Sequence, residues 1–386
     1  MTKKALQLAS VASMIDQFNI HNIEILQTLG YQVDVVADFT NPGTITNERA
    51  EDLKKRLENM GVRVFDSAIP RTLNPLAISN AYKQVKELLK KENYSILHCH
   101  SPIGGVIARQ VAKRLRKEGL KVIYTAHGFH FYDGAPLKNW LIFYPIEKYY
   151  SHYTDVLITI NEEDYKRASE KFHAKKTVYV QGVGVDTEKY AHIMVDRIVK
   201  RKELGIPPES FLIVSVGELN KNKNHAVVIR AIAEIRDPII HYAIAGKGGY
   251  KEKLLKIAKE QGIEEQVHLL GFRNDVPELY ACADLCAFPS IREGQGIAAL
   301  EGMAAGLPLV ASDNRGMRGI LVDRKNALIC KYDDVSMFSK AIDQLVHDPQ
   351  LRNKMGVANQ KLASKFDVDV INRKMQEIYS SMVVHT

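Results

Sequence analysis

Asp284–Asp313 reads DLCAFPSIREGQGIAALEGMAAGLPLVASD, and this stretch decides the fold. Two apolar segments, Leu285–Phe288 and Leu307–Ala311, have the length of buried parallel strands, and Gly296–Ala305 between them is compatible with a helix. The order strand, loop, helix, strand predicts a parallel βαβ unit. Because such units build doubly wound sheets, we expect an α/β protein.

The loop of this stretch, Pro289–Gly296, has the features of an anion site. Its two glycines let backbone amides approach a ligand closely at the positive end of the following helix. Glu293 in the loop and Glu301 in the helix lie roughly 12 Å apart at the helical rise. This span suits a nucleotide-sugar, with one carboxylate on ribose hydroxyls, the other on sugar hydroxyls and the diphosphate at the helix N-terminus.

Each carboxylate also has a simpler interpretation. Glu293 can be a solvated loop residue and Glu301 an exposed helix position, because two glutamates at this spacing often occur by chance. The neighbours of Glu301, including Leu300 and Met303, favour a ligand, since an unpaired carboxylate among apolar residues is costly. The stretch, together with Gly306–Asp313, resembles the carboxylate signature of family 4 retaining glycosyltransferases.

The resemblance covers nearly the whole chain, with its strongest motifs in Gly217–Asp313. It implies the GT-B fold, in which two Rossmann-like, doubly wound parallel-sheet domains face a cleft and a C-terminal helix crosses back to the first domain. It also implies transfer of a hexosyl or N-acetylhexosaminyl group from a UDP-linked donor, with retention and without a metal. The acceptor would be a saccharide or a lipid-linked molecule in the synthesis of capsule or exopolysaccharide.

Length and composition agree with a two-domain cytoplasmic protein. The chain has 386 residues, too many for one ordinary core, and its 46% hydrophobic and 25% charged residues are typical of a globular protein. Neither a membrane span nor a convincing signal peptide is evident in the sequence. Four cysteines are few for this length and fit a reducing compartment.

Strand-like and helix-like segments alternate in both halves of the chain, which predicts two parallel sheets. In the first half the predicted strands are Leu6–Ala9, Val33–Ala37, Val62–Phe65, Ile96–His98, Val122–Thr125, Val156–Ile160 and Val178–Val180. In the second half they are Leu212–Val216, His241–Ala245, Val267–Leu270, Leu285–Phe288, Leu309–Ala311 and Ala327–Ile329. The Gly/Val stretch 181–186 breaks the pattern, so we predict an acceptor-side domain of residues 1–183 with a C-terminal helix, 370–386, and a donor-binding domain of residues 184–369.

The loop after the first strand of the second domain carries cations where a helix begins. Cations oppose the helix dipole there, which suggests a bound anion, although a solvated charged loop is the alternative and is preferred for Lys221. Lys223 matches the lysine that binds the donor diphosphate in the family. At Glu218 many members carry arginine, so one diphosphate contact is in doubt.

A second loop, Gly271–Val276, corresponds to the family's contact with the nucleotide base. Arg273 stands at the base-adjacent position, and its alternative is an ion pair with Asp275. The predicted donor-binding set is Gly217, Glu218, Lys223, Phe272, Arg273, Gly294, Gln295, Gly296, Ile297 and Glu301.

In the first domain, a strand ends in the aromatic loop Tyr124–Tyr132. His127 matches the family histidine beside the transferred sugar, so His127 and Glu293 are the predicted catalytic residues. A structural hydrogen-bond role is the usual alternative for a histidine at a strand end. His130 and Phe131 are predicted on the acceptor side, with core packing as the alternative for the aromatic residues of this region.

These residues define the expected mechanism, a front-face displacement. Glu293 would hold the sugar hydroxyls, Glu301 the ribose, and His127 would orient the sugar, while Lys223 and the amides of residues 294–296 would stabilise the diphosphate. We predict no metal and no cofactor, since the nucleotide-sugar is a substrate. The pattern His98-Cys99-His100 places two histidines on one strand face without a third ligand, and Asp367 serves better as the N-cap of the last helix.

Three other activities were weighed. A sugar-nucleotide epimerase or hydrolase of the same fold would use the same donor site. A dinucleotide-dependent oxidoreductase would need a Gly-x-Gly-x-x-Gly turn after the first strand, but Leu8–Met14 contains no glycine. Nucleic-acid binding ranks last, because the basic residues are scattered without a reading motif.

The charge balance suggests a membrane surface as a further partner. Net charge is +8, and residues 1–180 carry 25 Lys and Arg against 19 Asp and Glu. The basic residues of one helical segment are Arg109, Lys113, Arg114, Arg116 and Lys117. We expect peripheral association with the anionic inner face of the cell membrane, with a basic solvated helix as the alternative.

Overall fold

The computed structural model describes residues 3–72 and 74–382. The chain divides into two compact units. Unit 1 comprises Met1–Val183 and Ile371–Thr386, and unit 2 comprises Gly184–Val370.

Unit 1 is built on a parallel sheet of seven strands. The strands are β1 (Lys3–Leu8), β2 (Tyr31–Ala37), β3 (Arg63–Asp66), β4 (Ile96–His100), β5 (Lys121–Ala126), β6 (Val156–Thr159) and β7 (Lys176–Tyr179). Their order in the sheet is β3-β2-β1-β4-β5-β6-β7. The helices of unit 1 before the domain boundary are α1 (Ala12–Phe18), α2 (Ile20–Thr28), α3 (Asn47–Asn59), α4 (Pro75–Glu92), α5 (Pro102–Leu115), α6 (Leu137–Ser151) and α7 (Glu162–Lys171).

The helices of unit 1 begin and pack for ordinary chemical reasons, as α3 illustrates. The Thr46 hydroxyl accepts the Arg49 amide at 3.2 Å, which satisfies one of the amides that a helix leaves without an internal partner. Ala50, Leu53 and Leu57 recur at helical spacing and are buried against the sheet. Because helices cover both faces, strands such as β4 are buried at every residue.

Unit 2 is built on a parallel sheet of six strands. Its helices and strands, in chain order, are α8 (Thr187–Ala191), α9 (Arg197–Glu203), β8 (Phe211–Val216), α10 (His225–Ile235), β9 (Ile240–Ala245), α11 (Lys251–Glu260), β10 (Val267–Gly271), α12 (Val276–Ala281), β11 (Leu285–Phe288), α13 (Ile297–Ala304), β12 (Leu309–Ser312), β13 (Leu328–Cys330), α14 (Val335–His347) and α15 (Pro349–Ala363). The strand order is β10-β9-β8-β11-β12-β13.

The last helix, α16 (Val368–Ser380), returns to unit 1. Its buried residues Ile371, Met375, Ile378 and Tyr379 pack in the core beneath the first sheet. The helix begins where the Asp367 carboxylate accepts the Asp369 amide at 2.8 Å, which is the geometry of an N-cap.

Strand order identifies one switch point in each sheet, where successive connections depart in opposite directions. In unit 2 this point lies between β8 and β11, and in unit 1 between β1 and β4. Ligands of doubly wound proteins bind beyond the carboxyl ends of the strands at such points. The loops after these four strands are therefore the first places to examine for function.

All the strands predicted from the sequence are present, with ends that differ by at most three residues. The helix α6 has aromatic residues on several sides and contains Pro145, which obscures its helical period in the sequence. Among the described residues, no helix is long and apolar enough to cross a membrane.

Candidate active site

At the switch point of unit 2, the loops after β8 and β11 are hydrogen-bonded to each other. The Ile291 amide donates to the Asn222 carbonyl at 2.8 Å, and the Asn222 side chain donates to the Arg292 carbonyl at 2.8 Å. Asn224, in the left-handed conformation before α10, donates to the Pro289 carbonyl at 3.2 Å. The two loops therefore form one hydrogen-bonded surface at the carboxyl edge of the sheet.

Lys223 and Glu293 meet on this surface. The Lys223 Nζ lies 2.7 Å from Glu293 Oε1, with the two side chains 22% and 14% exposed. The ammonium group also lies 5.8 Å from the centre of the Phe288 ring, within cation–π range. Two residues for which the sequence predicted separate roles are thus in direct contact.

Two glycines make room for this ion pair, because a side chain at either position would crowd it. A Cβ at Gly217 would lie 3.1 Å from Lys223 Cε, and a Cβ at Gly316 would lie 2.8 Å from Glu293 Cβ. Gly217 was predicted as a site residue, whereas Gly316 was not. Its sequence signal, a glycine in the loop after the strand that follows the helix, is too common to single out.

Glu301 lies on α13 and is hydrogen-bonded to a tyrosine of α8. The Tyr190 hydroxyl donates to Glu301 Oε1 at 2.7 Å. Burial raises the pKa of the Glu301 carboxyl, and the hydrogen bond from Tyr190 acts in the opposite direction. A carboxylate has about four lone-pair positions, so Glu301 can accept ligand hydroxyls besides Tyr190. Tyr190, on α8, was missed because nothing near it in sequence indicates a ligand.

The N-terminus of α13 follows directly after Glu293. Gly294, Gln295 and Gly296 lead into this helix, whose first-turn amides have no acceptor within a regular helix. Two amides of this turn already have acceptors, because Ile297 donates to the Gln295 carbonyl at 3.1 Å and Ala299 donates to the Gly296 carbonyl at 3.0 Å. The loop before α13 therefore brings backbone amides next to the Lys223–Glu293 pair.

The loop after β10 presents a different environment. The Phe272 side chain is 58% exposed, so its ring is accessible for stacking against a nucleotide base. Arg273 instead forms two hydrogen bonds to Asp275, at 2.7 and 2.5 Å, and lies 3.5 Å from Glu203. The hydrogen bonds from Arg273 lower the pKa of Asp275. This geometry favours the ion-pair alternative for Arg273. The Glu218 side chain is exposed.

In unit 1, His127 follows β5 at the carboxyl edge of the sheet. Its Nε2 lies 3.2 Å from His100 Nδ1, and its ring lies 5.4 Å from the Phe18 ring. Burial lowers the pKa of His127 to about 4, so the ring is neutral near pH 7. His127 is thus a neutral imidazole whose Nε2 is hydrogen-bonded to His100.

The two residues predicted on the acceptor side differ in position. Phe131 is fully buried and stacks on Phe129 with ring centres 4.7 Å apart. This position corrects its prediction as an acceptor contact, since a side chain inside the core supports the loop instead. His130 packs on Phe143 at 4.6 Å, and its carbonyl accepts the Asn139 side chain at 3.0 Å.

The loop after β1 has little capacity for an anion, because protein groups already bind its amides. Ser10 donates to Ser101 Oγ at 3.1 Å, Ala12 to the Asp38 carbonyl at 3.1 Å and Ser13 to the Pro42 carbonyl at 2.9 Å. Ser101 itself has a positive φ of 64°. Three amides at the switch point of unit 1 are therefore already hydrogen-bonded within the protein.

Metal ligands do not cluster in the described part of the chain. Within residues 3–72 and 74–382, no group of three or more His, Cys, Asp or Glu side chains is placed to hold an ion. Cys99, Cys282, Cys286 and Cys330 are free and buried.

The fold and these residues agree with comparisons to known proteins. Residues 196–362 match the family described as Glycosyl transferases group 1, and residues 6–161 match the Glycosyl transferase 4-like family. EpsD of Bacillus subtilis (strain 168), whose description as a glycosyltransferase is itself provisional, is 37% identical over 99% of this chain and 97% of its own length. The UDP-Gal:alpha-D-GlcNAc-diphosphoundecaprenol alpha-1,3-galactosyltransferase of Escherichia coli is 25% identical over 98% of this chain and 96% of its own.

Among solved structures, Alr3699/HepE of Anabaena in complex with UDP-glucose has a TM-score of 0.77 and 20% identity, covering 98% of this chain and 99% of its own. This likeness shows the GT-B fold of two Rossmann-like parallel-sheet domains. The chain belongs to the group 1 and 4-like glycosyltransferases. It is therefore an enzyme that transfers a sugar from a nucleotide-sugar donor to an acceptor.

Proposed function

We propose that this glycosyltransferase transfers a hexosyl or N-acetylhexosaminyl group from a UDP-linked donor, with retention at the anomeric carbon and without a metal. The observation that carries the proposal is the Lys223–Glu293 ion pair at the switch point of unit 2. It combines, beside a helix N-terminus, a cation for the diphosphate and a carboxylate for the sugar. The choice of a UDP-linked donor is supported by HepE, a structural neighbour solved in complex with UDP-glucose.

Donor binding would separate the ion pair. A diphosphate at the α13 N-terminus attracts Lys223, and the released Glu293 carboxylate then accepts hydroxyls of the sugar. Glu301 accepts ribose hydroxyls while it keeps the hydrogen bond from Tyr190. The pair thus keeps both groups paired and oriented until the donor replaces their mutual contact.

In the reaction, the bond from the anomeric carbon to the UDP oxygen breaks, and a bond to the acceptor hydroxyl oxygen forms on the same face. The acceptor proton passes to the departing phosphate oxygen. Lys223 and the amides before α13 stabilise the negative charge that develops on the diphosphate. From the family resemblance, His127 is proposed to accept a hydrogen bond from a hydroxyl group of the transferred sugar and so to fix its orientation.

The acceptor is proposed to be lipid-linked, or a saccharide of a cell-surface polysaccharide. The Escherichia coli relative acts, by its name, on a diphosphoundecaprenol-linked sugar. In this chain the amides after β1 are occupied, so an acceptor diphosphate would need groups other than that turn.

One experiment tests the donor and the reaction together. UDP-sugars are screened for protection against thermal unfolding, where a ligand at 100 times its dissociation constant stabilises by roughly 2.7 kcal/mol. The best donor is then incubated with and without lipid-linked acceptors, and the anomeric configuration of the product is determined. An epimerised or hydrolysed donor, whether or not acceptor is present, would favour the alternative enzyme classes, and an inverted product would contradict retention.

Metal independence has its own test. We expect full transfer activity in EDTA, because Lys223 and the α13 amides supply the positive charge that a divalent cation supplies elsewhere. Loss of activity in EDTA and recovery with magnesium or manganese would contradict this part of the proposal.

We also propose peripheral association with anionic membrane. Leu137 and Leu141, on one side of α6, are 72% and 69% exposed. Two cations are also exposed: Arg114 in the last turn of α5, and Lys117 just after that helix. Two cations counted from the sequence serve other purposes: Arg109 is buried against Glu147 at 2.8 Å, and Arg116 pairs with Asp155 at 2.8 Å. Apolar side chains and cations together are typical of interfacial binding.

Vesicle sedimentation tests this association. We expect binding to anionic vesicles at low salt, release at high salt, and weaker binding of Arg114→Glu/Lys117→Glu. The matched control is Lys340→Glu/Lys361→Glu, which changes net charge equally at exposed positions of unit 2. Equal binding to neutral and anionic vesicles, or equal effects of the two double variants, would contradict the proposal.

A further inference from the structure

A continuous hydrogen-bonded chain runs through unit 1 from α16 to His127. Gln7 Nε2 donates to the Tyr379 hydroxyl at 3.1 Å, and Gln7 Oε1 lies 3.1 Å from His100 Nε2. His100 Nδ1 lies 3.2 Å from His127 Nε2. On a second branch, the Tyr379 hydroxyl lies 2.7 Å from His98 Nδ1, and His98 Nε2 lies 2.8 Å from Thr125 Oγ1.

The histidines of this chain are neutral near pH 7. Burial lowers the pKa of His98 to about 3 and that of His127 to about 4, and it lowers the pKa of His100 well below its usual range. The neighbouring histidines act in the same direction on His98 and His100. Each ring therefore carries one proton, and each ring nitrogen is either a donor or an acceptor.

The Gln7 amide determines where these protons lie. Its Oε1 only accepts, so His100 Nε2 must carry the proton of that ring. His100 Nδ1 is then an acceptor, and the proton in its contact with His127 must be on His127 Nε2. His127 Nδ1 is left without a proton.

The second branch agrees with the same assignment. Because Gln7 Nε2 donates to Tyr379, the tyrosine proton is directed to His98 Nδ1. His98 then carries its proton on Nε2 and donates to Thr125. Every contact along both branches has one donor and one acceptor, so the arrangement is self-consistent.

The geometry points to Gln7 as a positioning residue that, through His100, fixes His127 in the Nε2–H tautomer and makes His127 Nδ1 a hydrogen-bond acceptor at the carboxyl edge of the sheet. Nδ1 is the nitrogen that remains to meet a ligand, since Nε2 is bonded to His100. The ligand group it fits is a hydroxyl that donates its proton. Its assignment to the transferred sugar rests on the proposed function, whereas the tautomer does not.

The C-terminal helix takes part in this arrangement. Tyr379, on α16, is fully buried and supplies the acceptor that orients the Gln7 amide. With the amide turned by 180°, every hydrogen bond in both branches would reverse, and His127 would carry its proton on Nδ1. The two orientations of the Gln7 amide therefore predict opposite tautomers of His127, which can be distinguished experimentally.

Nitrogen-15 NMR of the full-length protein labelled at histidine nitrogens distinguishes the tautomers without any ligand. In the unsubstituted protein we expect His127 with protonated Nε2 and unprotonated Nδ1, its signals assigned by their loss in His127→Asn. In Gln7→Met, which removes both polar groups, we expect both tautomers of His127. In Gln7→Glu the carboxylate still accepts from His100 and now also from Tyr379, so His127 keeps its tautomer while His98 changes to the Nδ1–H form.

Cys99→Ala is the control for mere loss of packing. Cys99 lies between the two histidines of β4 but faces the opposite side of the sheet, in a separate part of the core. We expect it to lower stability without changing any histidine tautomer. A His127 carrying its proton on Nδ1, or a His127 spectrum unchanged in Gln7→Met, would overturn the inference.

The same samples separate this inference from the proposed function. If the tautomers behave as expected, while His127→Asn leaves the KM for donor and the kcat unchanged, the relay stands and the contact between His127 and the sugar is withdrawn. If the tautomer assignment fails while His127→Asn strongly lowers transfer, the relay is withdrawn and the contact between His127 and the sugar stands.

Discussion

The two units share a doubly wound sheet, yet the polar groups at their carboxyl edges are held in opposite ways. In unit 2, Lys223 and Glu293 are charged, partly exposed and carried by loops. In unit 1, His100 and His127 are neutral, and their orientation is set by hydrogen bonds inside the core. The same architecture therefore provides a surface that can rearrange around a charged ligand and a surface that is fixed before a ligand arrives.

Such a difference suits two kinds of ligand group. A diphosphate needs positive charge, and an ion pair offers a cation that can exchange one anionic partner for another. A sugar offers uncharged hydroxyls, whose hydrogen bonds depend on the correct donor or acceptor at a fixed place.

Removing the cation of unit 2 should have the largest effect. Lys223→Ala should lower kcat/KM for transfer roughly 10²–10³-fold, because the leaving diphosphate loses its charged donor. Calorimetry should show weaker binding of both UDP and the UDP-sugar. Lys221→Ala is the matched control, an exposed lysine of the same loop, and should behave as the unsubstituted protein. Weakened binding of the sugar-linked form alone would show that Lys223 does not contact the diphosphate.

Glu301 is a carboxylate of unit 2 that, like the histidines of unit 1, is held by a hydrogen bond, in this case from Tyr190, and it is half-buried. Glu301→Ala should weaken donor binding by roughly 1.5–3 kcal/mol, the value of hydrogen bonds to a charged acceptor. Tyr190→Phe should cost less, about 1 kcal/mol, because Tyr190 acts only by holding Glu301. Isothermal titration with the donor measures both. Unchanged affinity in Glu301→Ala would refute its assignment to the ribose.

Acidification should reveal the neutral histidines of unit 1 as a loss of stability. His98 has a folded-state pKa of about 3, against 6.5 in the unfolded chain, so the unfolded state binds the proton first as pH falls. The contribution of neutral His98 to the free energy of unfolding is fully present above pH 6.5 and should decrease by about 2 kcal/mol between pH 6.5 and pH 5. Denaturant unfolding across this range measures the loss.

Glu92 does not obscure this range. Hydrogen bonds from Arg63 and Lys4 lower the pKa of Glu92 to about 2, so its contribution to the free energy of unfolding is lost only below the unfolded value of 4.5. His98→Gln should reduce the number of protons taken up on unfolding at pH 5.5 by about one. Equal proton uptake by the variant and the unsubstituted protein would contradict a neutral buried His98.

The strands and the donor loops could be predicted from the sequence because their signals are local. β11 and β12 are short apolar runs on either side of a glycine-containing loop and a helix, and Lys223, Glu293 and Glu301 stand in stretches that carry a family resemblance. The contact between Lys223 and Glu293 was not predicted, because it depends on two loops that the strand order makes neighbours.

The relay of unit 1 could not be predicted for the same reason, at longer range. Gln7 and Tyr379 are separated by 372 residues. Within the sequence His98 and His100 suggest only a shared strand face, and nothing near Gln7 indicates a polar partner. Phe131 shows the opposite error: its aromatic neighbours suggested a ligand surface, although they pack around it in the core.

Arg273 should show the smallest effect, and it defines the limit of the charged surface in unit 2. The guanidinium is already bonded to Asp275 by two hydrogen bonds and lies near Glu203, so it has little positive charge to offer a nucleotide. We therefore expect Arg273→Ala to change donor affinity by less than about 0.5 kcal/mol, as at ordinary surface positions. The matched variant is Phe272→Ala, which removes an exposed ring beside it and should weaken binding more if a base stacks there, by about 1 kcal/mol or more. Titration of both variants with UDP decides the matter. A loss in Arg273→Ala as large as in Lys223→Ala would mean that Arg273 leaves Asp275 to bind the nucleotide, and that the mobile ion pairs of unit 2 extend to the loop after β10.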